Sequence, residues 1–144
     1  MKHTLLGSFI VSLLLLPHHV VNSPLNNRVE KRIFQIVNTE RLKRGLESYR
    51  YSDALRSLAL RHSTNMMKHE FFSHTDHRGM DSADRKNTYF PHLFGVVGEN
   101  IAYIQTSRWL DIPKQVMRRW MNSPGHRRNI LSSAYSHIGV GFVR

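Results

Sequence analysis

The pair Ser123-Pro124, inside the run WMNSPGHRRNILSSAYSHIGVGFV from Trp120 to Val143, places a helix boundary almost to the residue. Proline has no N–H to donate and its ring collides with the preceding turn, so the helix carrying Trp120 must stop there. The same ring suits the first position of a new helix, with Ser123 as its N-cap. His126 then falls in the first turn of that helix, where unpaired backbone N–H groups and the helix dipole disfavour an imidazolium. A neutral imidazole held there is suited to accept a hydrogen bond or to bind a metal. After Leu131 and a serine-rich turn, Ile138, Val140 and Phe142 alternate with small residues, as in a strand. Gly139 and Gly141 leave room for a close neighbour.

Upstream, Asn27 and Glu30 have the form of a capping box, and Val29, Ile33, Ile36 and Val37 follow at helical spacing until Gly45. This predicts a first helix over Asn27 to Arg44. Ser52 caps a second, whose Leu55, Leu58, Ala59, His62 and Met66 share one buried stripe ending near His69. On that stripe His62 reads as a core histidine with a local partner, and Met66 and Met67 as gap-filling core. The stretch FFSHTDHRGMDSADRKNTYF is polar and rich in turn formers. His74 and His77 flank Asp76 there, and in a loop the two imidazoles need not converge. A short helix is expected over Asp81 to Arg85. Val96 and Val97 lead into Gly98-Glu99-Asn100-Ile101-Ala102, an irregular loop or a strand entry, in which Gly98 lets Glu99 be aimed inward. Asp111 to Pro113 opens the next helix, with Val116 and Trp120 facing the core and Arg118 and Arg119 outward. Mixed helices and antiparallel strands place the chain in the α+β class.

Three segments carry a resemblance: Phe72-Ser73-His74, Gly98-Glu99-Asn100-Ile101, and Trp120 through Ser123-Pro124-Gly125-His126-Arg127 to Asn129-Ile130-Leu131. With Ile138-Gly139-Val140-Gly141 after them, they resemble in order and spacing the CAP superfamily, in particular its small bacterial branch. These are the cysteine-rich secretory, antigen-five and pathogenesis-related-one proteins that share the SCP domain. The resemblance runs from roughly Asn26 to the C-terminus. It implies a three-layer α-β-α sandwich with an antiparallel central sheet, and a cleft lined by two histidines and two acidic residues. His74 and His126 match the histidines and Glu99 one acid; Ser123 stands where the eukaryotic pattern has the second. The resemblance also implies one more C-terminal strand than is present here, leaving a sheet edge open to pairing.

On those matches the candidate cleft comprises His74, Glu99, Asn100, His126 and Arg127. Two neutral imidazoles and a carboxylate form a three-ligand set for zinc or another divalent cation, with an open position for water. That water would be acidified, and His74, Glu99 and His126 would be the candidate catalytic residues of a metal-assisted hydrolase. The plainer alternative is a hydrogen-bonded His–Glu–His cluster that holds the cleft walls in place. No short-spaced metal motif occurs, and no Gly-x-Ser-x-Gly elbow supports Ser73 or Ser123 as a nucleophile. Arg127 and Arg128 either meet an anionic ligand at the rim or are merely solvated.

Residues 1–23 read as a secretion signal, with Lys2 and His3 before an apolar run from Leu5 to Leu16; Pro24 is awkward beside a cleavage site, so an uncleaved N-terminal anchor is the alternative. Residues 24–144 then form one CAP domain. Lys and Arg number 21 against 10 Asp and Glu, a formal net charge of +11. Such a chain is drawn to anionic lipid headgroups and envelope polymers. Its basic residues are scattered and accompany no nucleic-acid motif, so nucleic acid is not the expected partner. Without cysteine there are no disulfides and no thiolate metal sites. The expectation is a secreted or envelope-associated protein that binds a lipid, an amphipathic small molecule or an envelope component rather than turning one over. Its alternatives are the metal-assisted hydrolase and a basic polyanion binder with a purely structural cleft.

Overall fold

The structure, a computed structural model, describes the backbone of residues 7–14 and the whole of residues 24–144. Strands β1 (Gly7–Leu14), β2 (Arg50–Tyr51), β3 (Val97–Tyr103) and β4 (Tyr135–Phe142) form one sheet in the order β2-β4-β1-β3. Helices α1 (Pro24–Leu42), α2 (Asp53–Lys68), α3 (Ser82–Tyr89), α4 (Ile112–Asn122) and α5 (Pro124–Leu131) cover its two faces.

Strand alternation sorts the layers. Ile138, Val140 and Phe142 of β4 join Val29, Ile33 and Val37 of α1, Val116 and Trp120 of α4 and Ile130 of α5 in the main core. The intervening Gly139 and Gly141 turn to α2, which lies so close that a Cβ on Gly139 would collide with the backbone of Leu55 and Arg56. Overpacking of this kind costs about 1–3 kcal/mol. Gly139→Ala should therefore lower the thermal midpoint clearly. Gly125→Ala, whose Cβ would meet nothing within 4 Å, should leave it almost unchanged, and equal midpoints for the two variants would contradict this packing.

The α+β class and the three layers are as expected, but the strand directions are not. Every pairing among the described residues is parallel: β1 with β3 and β4, and β2 with β4. The cause lies in the connections. Each successive strand is reached through at least one helix, never through a tight turn, and a helical crossover returns the chain in its original direction. β1 lies between β4 and β3, so β2 and β3 form the edges of the sheet among the described residues. Residues 7–14 belong to the apolar run of the expected leader; the rest of residues 1–23 lies outside the described residues. Among the described residues no helix is long and apolar enough to cross a membrane.

Local signals placed several boundaries closely. Ser52 accepts a hydrogen bond from the Leu55 N–H at 3.3 Å and starts α2 as expected. Gly45, at φ +71°, follows the end of α1. The expected capping box at Asn27 and Glu30 is absent, because α1 already begins at Pro24 and Glu30 lies inside it. Helix α3 continues four residues past Arg85, launched by a capping box between Asp81 and Asp84. Ser123 occupies the N-cap position of α5 with extended backbone, but its hydroxyl makes no capping bond.

Candidate functional site

Outer strand β3 carries the site, and its alternation divides the residues between two layers. Val97 packs against α2 and Ile101 packs with the end of α2; Glu99, between them in register, points the same way. Asn100 points oppositely, toward α5. Its Nδ2 donates to the His126 carbonyl at 3.0 Å, and its Oδ1 accepts from Asn129 Nδ2 at 2.9 Å. Asn100 is fully buried, so it positions the first turn of α5 and does not line the cleft surface.

An outer strand leaves every second carbonyl without a ladder partner. Here three in succession are met by side chains. Asn129 Nδ2 donates to Glu99 O at 3.1 Å, Trp120 Nε1 to Ile101 O at 3.0 Å, and Arg119 Nη1 to Tyr103 O at 2.6 Å. Helices α4 and α5 thus close the edge of β3, and in doing so bring His126 to the end of the strand where Glu99 stands.

The Glu99 carboxylate is almost wholly buried and both of its oxygens are engaged. Oε2 accepts from Arg85 Nη2 at 2.6 Å, and Oε1 from His74 Nδ1 at 2.9 Å. Arg85, also buried, donates through Nη1 to the carbonyls of His74 and Met80, which ties the loop after α2 to α3. Its role was not anticipated. Asp81 and Asp84 mark the start of α3, yet nothing in the sequence separates Arg85 from an exposed basic residue such as Arg78.

His62 is buried on α2 as expected; its Nε2 meets the Ser73 carbonyl at 2.9 Å, and it lies 3.9 Å from Glu99 Oε1. Its Nδ1 is buried without a hydrogen-bond partner among the described residues. The His74 side chain is 54% exposed, with its ring centroid 6.3 Å from that of half-buried His126. Arg127 and Arg128 are exposed and form no ion pair among the described residues. His77 points elsewhere and stacks on His69.

Burial, ahead of every other cause, pushes the His62 imidazole below its ordinary range; burial and then the neighbouring His74 do the same to His126. A histidine whose folded pKa is depressed contributes stability that is present above its unfolded value and is lost as pH falls toward the folded one. Stability should therefore decline below pH 6.5, by at most about 1.4 kcal/mol per pH unit for each histidine. Denaturant midpoints measured from about pH 7.5 to about pH 5.5 should show the decline, with a shallower slope in His62→Gln. An unchanged slope in that variant would refute the assignment.

As metal ligands His74, Glu99 and His126 do not assemble as a set of three. Glu99 is committed to Arg85 and His74, and among the described residues no group of three or more His, Asp or Glu side chains is arranged to hold a metal ion. What remains is Nε2 of His74 and the ring of His126, whose nitrogens have no hydrogen-bond partner among the described residues. The His74–Glu99 pair has the outline of a carboxylate-backed general base. However, Arg85 neutralises the carboxylate, and the Ser73 hydroxyl is turned to the Thr75 N–H at 3.1 Å.

With this geometry in place, a family model described as the cysteine-rich secretory protein family matches residues 34–144. An uncharacterized protein of Bacillus subtilis, YkwD, is 35% identical over 114 residues, which is 79% of this chain and 42% of that protein. An uncharacterized membrane protein of the same organism, YlbC, is 36% identical over 116 residues, 80% of this chain and 32% of that one. The chain thus spans less than half the length of the curated relatives it matches. Among solved structures, an extracellular protein with an SCP domain from Bacillus anthracis superposes with a TM-score of 0.72 at 29% identity, over 82% of this chain and 38% of that one. An outer surface protein of Borrelia burgdorferi shares the fold, with a TM-score of 0.63 at 17% identity over 79% and 80% of the two chains.

Proposed function

The chain belongs to the cysteine-rich secretory protein (CAP) family, and from that premise we propose that it is a ligand-binding module of the cell exterior, secreted or held at the envelope. Its ligand is a lipid or another amphipathic molecule. The observation that carries this reading is the full engagement of Glu99. A carboxylate held at 2.6 Å by Arg85 and at 2.9 Å by His74 is neither a free base nor a free metal ligand, so the cluster serves as a rigid frame. Binding needs such a frame: donors and acceptors held in advance lose little freedom when a ligand arrives. His74 donates Nδ1–H to Glu99 and leaves Nε2 toward the outside, with the ring of His126 6.3 Å away, centroid to centroid. Phe72, two residues before His74, and Phe94 and Val96, on the approach to β3, are exposed large apolar side chains. Phe72, nearest to His74 along the chain, is the apolar contact the proposed ligand would use.

The extracellular character of the Bacillus anthracis neighbour supports the proposed location, as does the leader-like composition of residues 1–23. The test is calorimetric titration of the full chain with lysophosphatidylcholine, with His74→Ala/His126→Ala alongside. Saturable binding that weakens about tenfold or more in the double variant is expected, each lost polar contact contributing on the order of 1 kcal/mol. Equal affinity in both proteins, with melting confirmed unchanged, would overturn the reading.

A further inference from the structure

The outer face of α2, the loop after His74 and the end of α3 border an open surface cavity of about 550 Å³. Arg61, Lys68, His69, His77, Arg78 and Tyr89 line it, and no aspartate or glutamate does. The same stretch includes His77, which the cleft leaves unused.

Three features make this more than a scatter of surface charge. First, Tyr89 organises two guanidiniums at once: Arg61 lies over its ring at 4.0 Å, and Arg78 Nη1 donates to its hydroxyl at 3.3 Å. Second, His69 and His77 stack face to face with centroids 3.8 Å apart. Each imidazole offers at least one N–H donor whatever its charge. Third, Arg61, Lys68 and Arg78 form no ion pair among the described residues. Of the two carboxylates closest in sequence, Asp76 is buried and spends Oδ1 on the N–H groups of Arg78 and Met80 at 2.9 and 3.0 Å, and Glu70, exposed beside His69, is not part of the lining. Three cations and two imidazoles therefore converge on one space with no protein anion in its lining.

We propose that this cavity is an anion site, separate from the cleft, that takes a phosphodiester. The two guanidiniums organised by Tyr89 are the donors for the non-bridging oxygens, because Arg presents a rigid fork of N–H groups suited to phosphate. Lys68 and the imidazole N–H groups add further donors around them. The volume leaves room for the alcohols on either side of the phosphate, so a diester in a headgroup or a polymer repeat fits better than a bare ion. Leu60 and the Tyr89 ring give those flanking carbons an apolar wall.

The probe is glycerophosphoglycerol, a phosphodiester without acyl chains, titrated into the full-length ¹⁵N-labelled protein. Saturable amide shifts concentrated at Arg61, Lys68, His69, His77 and Arg78 are expected, and binding should weaken as salt screens the charges. Arg61→Ser/Arg78→Ser should bind about a hundredfold more weakly, since each lost charge-assisted bond accounts for roughly a factor of ten. His74→Ala/His126→Ala should bind as the parent does, so failure here is distinguishable from failure of the cleft reading. The two arginines are exposed, and an unchanged melting midpoint checks that their loss leaves the fold intact. Shifts spread evenly over the basic surface, no saturation, or parent-like binding by the arginine variant would each overturn the proposal. Sedimentation with phosphatidylglycerol vesicles but not phosphatidylcholine vesicles, reversed by glycerophosphoglycerol, identifies a lipid headgroup as the source. Binding of the small diester without sedimentation identifies a soluble or polymeric one.

Discussion

Arg85→Met should destabilise the protein by about 3–5 kcal/mol, as expected when one partner is removed from a buried ion pair. The substitution keeps much of the apolar stem, so the loss reports the guanidinium rather than a cavity. Two consequences combine. Glu99, with its side chain 2% exposed, is left charged and short of its closest partner, and the carbonyls of His74 and Met80 lose their donor. The loop bearing His74 should loosen with them. Urea denaturation beside Arg128→Met provides the check; an exposed arginine should change stability by no more than about 0.5 kcal/mol. The double variant Arg85→Met/Glu99→Leu should lose less than the sum of its singles, because the second change removes the orphaned charge. Additive losses would show that the two residues do not depend on each other.

Trp120→Ala is the second large effect, expected at about 3–5 kcal/mol for truncation of a buried aromatic. Its indole is 1% exposed at the centre of the main core, and its N–H closes one of the outer carbonyls of β3. Trp120→Phe separates the two contributions: it retains most of the apolar contact and leaves the Ile101 carbonyl unmet, a cost of about 1–3 kcal/mol. His126→Ala, at a half-buried position, should cost much less than Trp120→Ala. Equal large losses in both would mean that His126 serves the fold, which favours a purely structural cleft.

Sequence and structure agree where the signal is local. A proline after a serine, a serine ahead of a buried stripe and an aspartate pair three apart each act within one helical turn, so α2, α3 and the α4–α5 break were legible, the true end of α3 apart. Glu30 shows the limit. Its spacing from Asn27 has the form of a cap, yet its Oε1 accepts from the Phe142 N–H, 112 residues away, at 3.0 Å, and its Oε2 from Arg56 Nε at 2.7 Å. Burial accordingly raises its pKa, against the opposing pull of those partners. Strand direction was misread for the same reason, since it depends on how crossovers pack and not on any one strand's alternation. In the site, His74, Glu99 and His126 were named from the motifs, and the structure brings them to one end of β3. Arg85 was not, because what distinguishes it is burial against a carboxylate contributed by another element.

The cleft either holds its ligand or consumes it. Mass spectrometry of the full chain equilibrated with lysophosphatidylcholine, with and without added zinc, asks this directly. Binding through a fixed Glu99–Arg85–His74 frame predicts one intact ligand per chain, no fatty acid released over time, and loss of the complex in His74→Ala/His126→Ala. Fatty acid accumulating in proportion to protein, driven by zinc and abolished by Glu99→Gln in a variant that still folds, would contradict it and make the cleft an active site.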